Sequence, residues 1–323
     1  TVYEILEDGY GNSGSGVLKI TNMVAYTALQ LDFLKPVTVN ANTHIVLKIY
    51  SGVSQLSVAD YNAGQLHENG YESTNYTGTD IQRYGLKLNE WSTVKIPLVD
   101  IGLANIGDVI EDGIQIVMLS TELPNSIYID EIRVEDITAD TLVIGDSYAS
   151  KNYYTNCEQE LASVDGYNIG IGGTTIEEWY SVSGEQTVNR IPDILSYQPK
   201  NVVIHLGVND INRGQSGDST AQELVEFVKA LKVADPNLKI FYVTICKNLN
   251  YEHKWTEYEE NNQAVKDALE QEENVYVIDF YAKQVENENV WQNKGFIAGD
   301  VTHLTAEAYQ ALSEMIISAI ASA

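Results

Sequence analysis

The chain is poor in cysteine and in basic residues, and each shortage excludes a class of protein. Two cysteines, Cys157 and Cys246, among 323 residues are too few for the disulfide framework of a small secreted domain. One bridge stays open as an alternative, but the sequence favours two buried thiols. Nineteen lysines and arginines against 46 aspartates and glutamates give a net charge of −27. A surface of that sign repels nucleic acid and anionic membranes, whereas neutral ligands remain compatible with it.

Long apolar runs and metal-binding clusters are missing as well. No apolar stretch approaches ~18 residues, so we expect no transmembrane helix. No group of histidines, cysteines and carboxylates has the spacing of a metal site. The glycine-rich segment 168–175 lacks both the third glycine of a dinucleotide loop and the Gly-Lys-Ser/Thr of a phosphate loop. Because the sequence begins at Thr1 without methionine, we expect a processed product.

Residues 1–138 predict an all-β domain. Short segments rich in Ile, Val and Tyr alternate with Gly, Asn and Asp, and no good amphipathic helix is evident. The predicted strands are ALQLDF (28–33), HIVLKIY (44–50), STVKIPL (92–98), IQIVMLS (114–120) and SIYIDEIRV (126–134). Many short strands separated by turn residues are typical of a sandwich or jelly roll.

Residues 139–323 change to a series of apolar strands and helices. TLVIG at 141–145 is apolar throughout, as a strand covered on both faces of a parallel sheet requires. The segment 219–235 repeats its apolar residues at the helical period. Strands and helices then alternate to the C-terminus through NVVIHLG (201–207), KIFYVTIC (239–246) and VYVIDF (275–280). The order predicts an α/β domain with a parallel sheet and helices on both faces.

Gly145, Asp146 and Ser147 follow the first of these strands directly. Ser and Asp are preferred at helix N-termini, so the stretch alone favours a helix cap. The alternative is a nucleophile, with the Ser147 hydroxyl in a crevice and its backbone N–H available to an oxyanion. The rest of the chain decides between these interpretations.

Three further polar segments lie where a doubly wound sheet gathers its functional groups. Glycines in 168–175 allow the backbone to approach a ligand, and Asn209 is a neutral donor suited to a developing negative charge. Asp300 and His303 lie three residues apart, so a shared helical turn would let the carboxylate orient the imidazole as a base. His205, within an apolar strand, is predicted to be a core residue. A nucleophile, oxyanion donors and an acid–base pair together predict acyl transfer.

Four sequence blocks resemble the SGNH hydrolases, the GDSL esterase/lipase family. They are GDS (145–147), NIGIGGTT (168–175), GVND (207–210) and DVTH (300–303), in the family's order. The chain lacks the Gly-x-Ser-x-Gly elbow of ordinary α/β-hydrolases. The resemblance covers about residues 140–323 and implies a three-layer αβα fold with five parallel strands.

The same resemblance implies a role for each residue of the predicted site. Ser147 would be the nucleophile, and His303 the general base oriented by Asp300. The N–H groups of Ser147 and Gly173 and the side chain of Asn209 would form the oxyanion hole. Gly173 is preferred to Gly172 because it lies five residues after Asn168, where the family has its oxyanion glycine. Such a site needs no metal and no other cofactor.

The β domain resembles carbohydrate-binding and galactose-binding-like jelly rolls through its ending IYIDEIRVED (127–136). Its place before the hydrolase resembles carbohydrate esterase family two and related polysaccharide deacetylases. This implies a secreted or cell-surface bacterial esterase that deacetylates a polysaccharide or oligosaccharide through an acyl-enzyme, without nucleic-acid or membrane partners. A lipid or thioester hydrolase, a transferase, and a carbohydrate-binding protein with little hydrolysis remain alternatives. Sugar stacking in the β domain also stays open, with candidate rings at Tyr61, Tyr71, Tyr76 and Tyr84.

Overall fold

A computed structural model describes most of the chain, which divides into two compact units, Thr1–Ile137 and Thr138–Ala323. The described residues are 2–6, 17–21, 28–32, 34–53, 56–60, 79–101, 105–111, 113–118, 126–150, 161–182, 187–286 and 302–323. Asp300, Cys157 and three of the candidate tyrosines, Tyr61, Tyr71 and Tyr76, lie outside them. No helix in the described parts is long and apolar enough to cross a bilayer.

The first unit is a sandwich of two antiparallel sheets. Its strands are β1 (Val2–Leu6), β2 (Val17–Thr21), β3 (Ala28–Asp32), β4 (Val37–Thr38), β5 (Thr43–Ser51), β6 (Leu56–Asp60), β7 (Thr79–Asp80), β8 (Trp91–Pro97), β9 (Val109–Ile110), β10 (Gly113–Met118) and β11 (Ser126–Asp136). One sheet has the order β1-β2-β11-β5-β8 and the other β3-β10-β6-β7, and β4 pairs with β9. Ile45 and Leu47 of β5 share one apolar core with Ile114 and Ile116 of β10. The sandwich architecture predicted for this region is therefore confirmed.

All five strands predicted in this unit are present, with ends within two residues of the prediction. The prediction missed the five-residue strands β1, β2 and β6 and the two-residue strands β4, β7 and β9, of which the last three are too short to show an alternating pattern. The fourth candidate tyrosine, Tyr84, is half-buried and its hydroxyl donates a hydrogen bond to Asp100 at 2.8 Å.

The second unit is an α/β domain. Its elements are β12 (Thr141–Gly145), β13 (Gly166–Asn168), β14 (Tyr180–Ser181), β15 (Val188–Asn189), α1 (Ile191–Ser196), β16 (Asn201–His205), α2 (Val208–Asn212), α3 (Gly217–Ala234), β17 (Lys239–Val243), α4 (Trp255–Leu269), β18 (Val275–Ile278), α5 (Phe280–Glu286) and α6 (Ala306–Ser322). Short 3-10 helices span Ala162–Val164 and Leu249–Lys254. Five strands form one parallel sheet in the order β13-β12-β16-β17-β18. Every residue of β12 and β16 is buried, as a sheet covered on both faces requires, and the predicted αβα fold is confirmed.

The strand order places a topological switch point between β12 and β16. From β12 the chain moves outward to β13, and then crosses back to β16 on the other side of β12. Ligands of open α/β sheets bind beyond the carboxyl ends of the strands at such a point. Gly145 and His205, which end the two strands, lie in register. The residues that follow them, Ser147 and Asn209, are thus delivered to the same edge of the sheet.

Candidate active site

The turn that carries Ser147 begins at a glycine that no other residue could replace without a clash. Gly145 has φ +150°, and a Cβ atom there would lie 2.0 Å from the His205 carbonyl oxygen. This close approach lets the N–H of Asp146 donate to the same carbonyl at 3.1 Å. Ser147 then opens a tight turn closed by the N–H of Ser150, which donates to the Ser147 carbonyl at 3.2 Å. Ser147 is half-buried at the switch point.

Asp146, and not Ser147, caps this turn. Asp146 Oδ1 accepts a hydrogen bond from the N–H of Tyr148 at 2.9 Å. Within the described residues no donor reaches the Ser147 hydroxyl. The sequence alone favours a helix cap, whereas the described residues 146–150 form a turn, in which Asp146 accepts the backbone N–H and Ser147 does not.

The Asp146 carboxyl is wholly buried, with 0% of its surface exposed. Burial raises its pKa from the ordinary 3.8 to about 8, although the Tyr148 N–H lowers the pKa and the negative charge of Asp210 raises it further. Among the described residues its Oδ2 atom has no hydrogen-bond partner. The side chain is consequently an uncharged acid at neutral pH.

We expect the wild type to lose stability at alkaline pH as Asp146 ionises, and Asp146→Asn to lose less. The folded pKa lies above the unfolded one, so folding favours the protonated acid, and stability is lost as pH rises from about 4 to about 8. Between pH 6.5 and pH 9 the free energy of unfolding should fall by about 2 kcal/mol through this group. Asparagine does not titrate and keeps the Oδ1 acceptor. Urea unfolding at both pH values should show a smaller difference for the variant, and an unchanged difference would contradict the burial of an ionisable acid.

The glycine loop at 168–175 is tied to the strand ends by its backbone. The N–H of Ile171 donates to the Gly145 carbonyl at 2.9 Å, and the N–H of Gly170 donates to Asn168 Oδ1 at 2.7 Å. A Cβ atom on Gly170 would lie 2.4 Å from the Ala149 carbonyl oxygen, so the loop needs glycine there to approach the serine turn. A Cβ on Gly172 would be 3.9 Å from the Cβ of Ser147. The loop therefore passes beside the predicted nucleophile.

Side chains hold the carbonyl groups of the same loop. The Thr174 hydroxyl donates to the Ile171 carbonyl at 2.9 Å, and the Arg213 guanidinium donates to the Gly173 carbonyl at 2.6 Å. Gly173 itself is exposed with φ +82°. Its N–H has no acceptor within the described part of the chain. The N–H of Gly172 also has no acceptor among these residues, so the fixed loop offers two adjacent amides of the kind that an oxyanion donor requires.

Asn209 lies in the first turn of α2, where the sequence predicted a loop. Gly207 precedes this helix with φ +113°, and its missing side chain leaves room for Ile245 and Thr220. One N–H of the Asn209 amide donates to the Thr174 carbonyl at 3.0 Å. The second N–H of the amide has no acceptor among the described residues. The side chain therefore fixes the glycine loop and keeps a donor beside it.

Asp210 fastens α2 to the far end of the glycine loop. Its two carboxylate oxygens accept from the N–H of Ile176 at 3.1 and 3.3 Å. Burial raises the pKa of this carboxyl to about 6, and the Ile176 N–H opposes that rise. Asp210 and Arg213 were not singled out from the sequence, because contacts between separate loops leave no periodic signal.

His303 lies in a bend that precedes α6, and Asp300, predicted to share a helical turn with it, is outside the described residues. His303 is 9% exposed, and α6 begins after Thr305, whose hydroxyl accepts from the N–H of Ala308 at 3.3 Å. The Tyr148 hydroxyl donates to the carbonyl of Thr302, and the rings of Tyr148 and His303 have centroids 5.5 Å apart. The residue after Ser147 thus contacts both His303 and the residue before it.

The structure brings four of the five predicted residues, Ser147, Gly173, Asn209 and His303, to connected segments. The fifth, Asp300, lies outside the described residues. His205 is buried as predicted, and burial lowers its pKa to about 3, so it is neutral. Cys246 is a buried free thiol. In the described ranges no three His, Cys, Asp or Glu side chains are grouped to hold a metal ion.

Comparisons with known proteins give one family match. The model of the GDSL-like lipase/acylhydrolase family matches residues 138–311, and no curated protein matches the chain significantly. The chain is similar to a solved GDSL-like lipase from Bacteroides thetaiotaomicron, at 16% identity over 56% of this chain and 87% of that chain, with TM-score 0.45.

Two solved family two carbohydrate esterases are similar over nearly the whole chain. The one from Clostridium thermocellum, in complex with cellohexaose, is 13% identical over 94% of this chain and 93% of its own, with TM-score 0.42. The one from Cellvibrio japonicus is 12% identical over 98% of this chain and 94% of its own, with TM-score 0.41.

Proposed function

The chain belongs to the GDSL-like lipase/acylhydrolase family, and from this premise we propose that it is a serine esterase that removes O-acetyl groups from a glycan. Family membership implies ester hydrolysis, and the acetyl group and the glycan are the specific part of the proposal. One observation carries the serine-esterase part of the proposal. Tyr148, next to Ser147, contacts His303 through its ring and Thr302 through its hydroxyl, which joins the proposed nucleophile and base.

In the proposed reaction Ser147 Oγ attacks the acetyl carbonyl while His303 takes the hydroxyl proton. The carbonyl oxygen becomes an oxyanion, which the N–H groups of Ser147 and Gly173 and the amide of Asn209 stabilise. His303 then returns the proton to the departing sugar hydroxyl, which leaves an acetyl-serine. Water repeats the sequence on this ester and releases acetate. Asp300 is proposed to orient His303.

The oxyanion assignment is supported by a fixed loop that still has unused hydrogen-bond donors. The loop carbonyls at Ile171, Gly173 and Thr174 are each held by a side-chain donor. The N–H groups of Gly172 and Gly173 and the second N–H of Asn209 have no acceptor among the described residues. Donors held in place before the reaction avoid the cost of reorganisation when charge develops.

Two features support a glycan over a lipid. The net charge of −27 disfavours an enzyme that works on anionic membrane surfaces and is compatible with a neutral acetylated sugar. A β-sandwich unit precedes the αβα unit, the order that resembles carbohydrate esterases of family two. For an enzyme acting on polysaccharide we propose a secreted or cell-surface location in a bacterium.

The test is kcat/KM on p-nitrophenyl esters of increasing acyl length, followed by acetate release from acetylated xylan. We expect acetate to be the best acyl group, with a loss of about tenfold or more by hexanoate, because a site fitted to two carbons rejects added methylenes. Chemically deacetylated xylan is the matched control for acetate release. A preference for long acyl chains would contradict the acetyl assignment in favour of a lipid or thioester substrate.

A further inference from the structure

We propose that Tyr148 is a positioning residue that sets His303 against Ser147. It acts on the base through Thr302 and through ring contact, and does not touch the substrate. The inference rests on the proposed function, because Ser147 and His303 are the groups it would align. No motif of the sequence singles out this residue.

The position of Tyr148 is fixed at its backbone and at its ring. Its N–H donates to Asp146 Oδ1 at 2.9 Å, so the residue belongs to the same turn as the nucleophile. Its side chain is buried, with 1% of the residue exposed. The ring has the imidazole of His205 at 5.2 Å and that of His303 at 5.5 Å between centroids. Tyr148 is thus the shared neighbour of a core histidine and the proposed base.

The Tyr148 hydroxyl holds the segment that precedes His303. It donates to the carbonyl oxygen of Thr302, and the Thr302 hydroxyl accepts from the side-chain amide of Asn250. Burial raises the pKa of the phenol well above its ordinary value, so the group remains a donor at any working pH. Thr302 is therefore held on its main chain by the nucleophile turn and on its side chain by the segment after β17.

The arrangement matters because the reaction needs a short contact between hydroxyl and imidazole. Ser147 and His303 are 156 positions apart in the sequence. One lies near the first residue of the α/β unit and the other near its last residue. A misplacement of about 1 Å between reacting groups costs up to about a hundredfold in rate. A tyrosine next to the nucleophile that also contacts the base segment fixes that distance without a role in proton transfer.

The experiment compares Tyr148→Phe, Tyr148→Leu and a control, Tyr258→Phe, with the wild type. Phe keeps the ring beside His303 and removes only the hydroxyl, whereas Leu removes both. Tyr258 is a matched control because it is also buried, and its hydroxyl donates to Asn212 instead of Thr302. Each protein is assayed for kcat, KM and thermal midpoint, and for the rate at which a fluorophosphonate labels Ser147.

We expect Tyr148→Phe to lower kcat and the labelling rate about tenfold with KM within twofold of wild type, and Tyr148→Leu to lower them further. Tyr258→Phe should lower the thermal midpoint by a similar amount and leave kcat within twofold. Asn250 is exposed, and Asn250→Ala removes the hydrogen bond to the Thr302 hydroxyl. This variant should lower kcat several-fold, and it serves as the test if the Tyr148 variants do not fold.

Equal kinetic effects of Tyr148→Phe and Tyr258→Phe would overturn the positioning role. If the Tyr148 variants do not fold, a normal kcat in Asn250→Ala would overturn it instead. A wild type that neither hydrolyses esters nor reacts with the fluorophosphonate at Ser147 would overturn the proposed function as well. A wild type that does both while the Tyr148 variants match it overturns this inference alone.

Discussion

Replacing Ser147 with alanine should lower kcat/KM for p-nitrophenyl acetate by ~10⁴-fold or more while the protein stays folded. The alanine variant has no hydroxyl to form the acyl-enzyme, so the covalent route is lost as a whole. What remains is the contribution of the oxyanion donors and of binding. The side chain is half-buried and has no donor within the described residues, so its removal should cost little stability.

Ser150→Ala is the matched control for this change. Ser150 lies on the same turn and its hydroxyl donates to the Ser147 carbonyl at 3.1 Å. Its loss should reduce kcat/KM by about tenfold at most, because it perturbs the turn and leaves the nucleophile in place. Mass spectrometry after fluorophosphonate treatment should find the label on Ser147 in the wild type and in Ser150→Ala, and none in Ser147→Ala. Retention of more than a tenth of the wild-type activity by Ser147→Ala would rule out the serine as nucleophile.

The α/β unit could be predicted because its strands are buried on both faces. TLVIG and NVVIH are apolar between their first and last residues. Each forms a strand at the predicted place. Apolar runs of this length between helical segments predict a parallel sheet. The edge at which polar residues collect then follows from the strand directions.

The contacts that hold the site together could not be predicted in the same way. Tyr148, Asp210 and Arg213 act across separate loops, and hydrophobic periodicity carries no information on such pairs. The α2 helix was missed because five residues, Val208–Asn212, are too few to show a helical period. The sequence does not distinguish Asp146 from Ser147 as the cap, and in the structure the Tyr148 N–H donates to Asp146.

The roles of Ser147, Gly173, Asn209 and His303 stay predictions that rest on these positions, and the role of Asp300 stays a prediction from the sequence resemblance. For the glycine loop, the sequence predicts the close backbone approach but not which amide is the donor. Its glycines predicted a close backbone approach, and Gly170 does approach the Ala149 carbonyl too closely for any side chain. The choice of Gly173 over Gly172 as donor rests on family spacing, because neither N–H has an acceptor among the described residues.

Asn209→Ala should lower kcat by ~10²–10³-fold with KM within about threefold of wild type. The amide is proposed to donate to the oxyanion, which exists only after Ser147 has attacked, so its loss weakens the transition state more than the bound substrate. One N–H of Asn209 also holds the Thr174 carbonyl at 3.0 Å, and the variant therefore loosens the glycine loop as well.

Asn212→Ala separates the oxyanion role from a general loosening of α2. Asn212 lies on the same short helix, and its side-chain oxygen accepts from the Tyr258 hydroxyl instead of facing the glycine loop. We expect it to lose stability and to keep kcat within threefold of wild type. Asn209→Asp extends the comparison, because a carboxylate of the same shape repels the oxyanion and should be at least as slow as alanine. If Asn209→Ala turned over normally, or lost only what Asn212→Ala loses, the oxyanion charge would have to be held by the backbone amides alone.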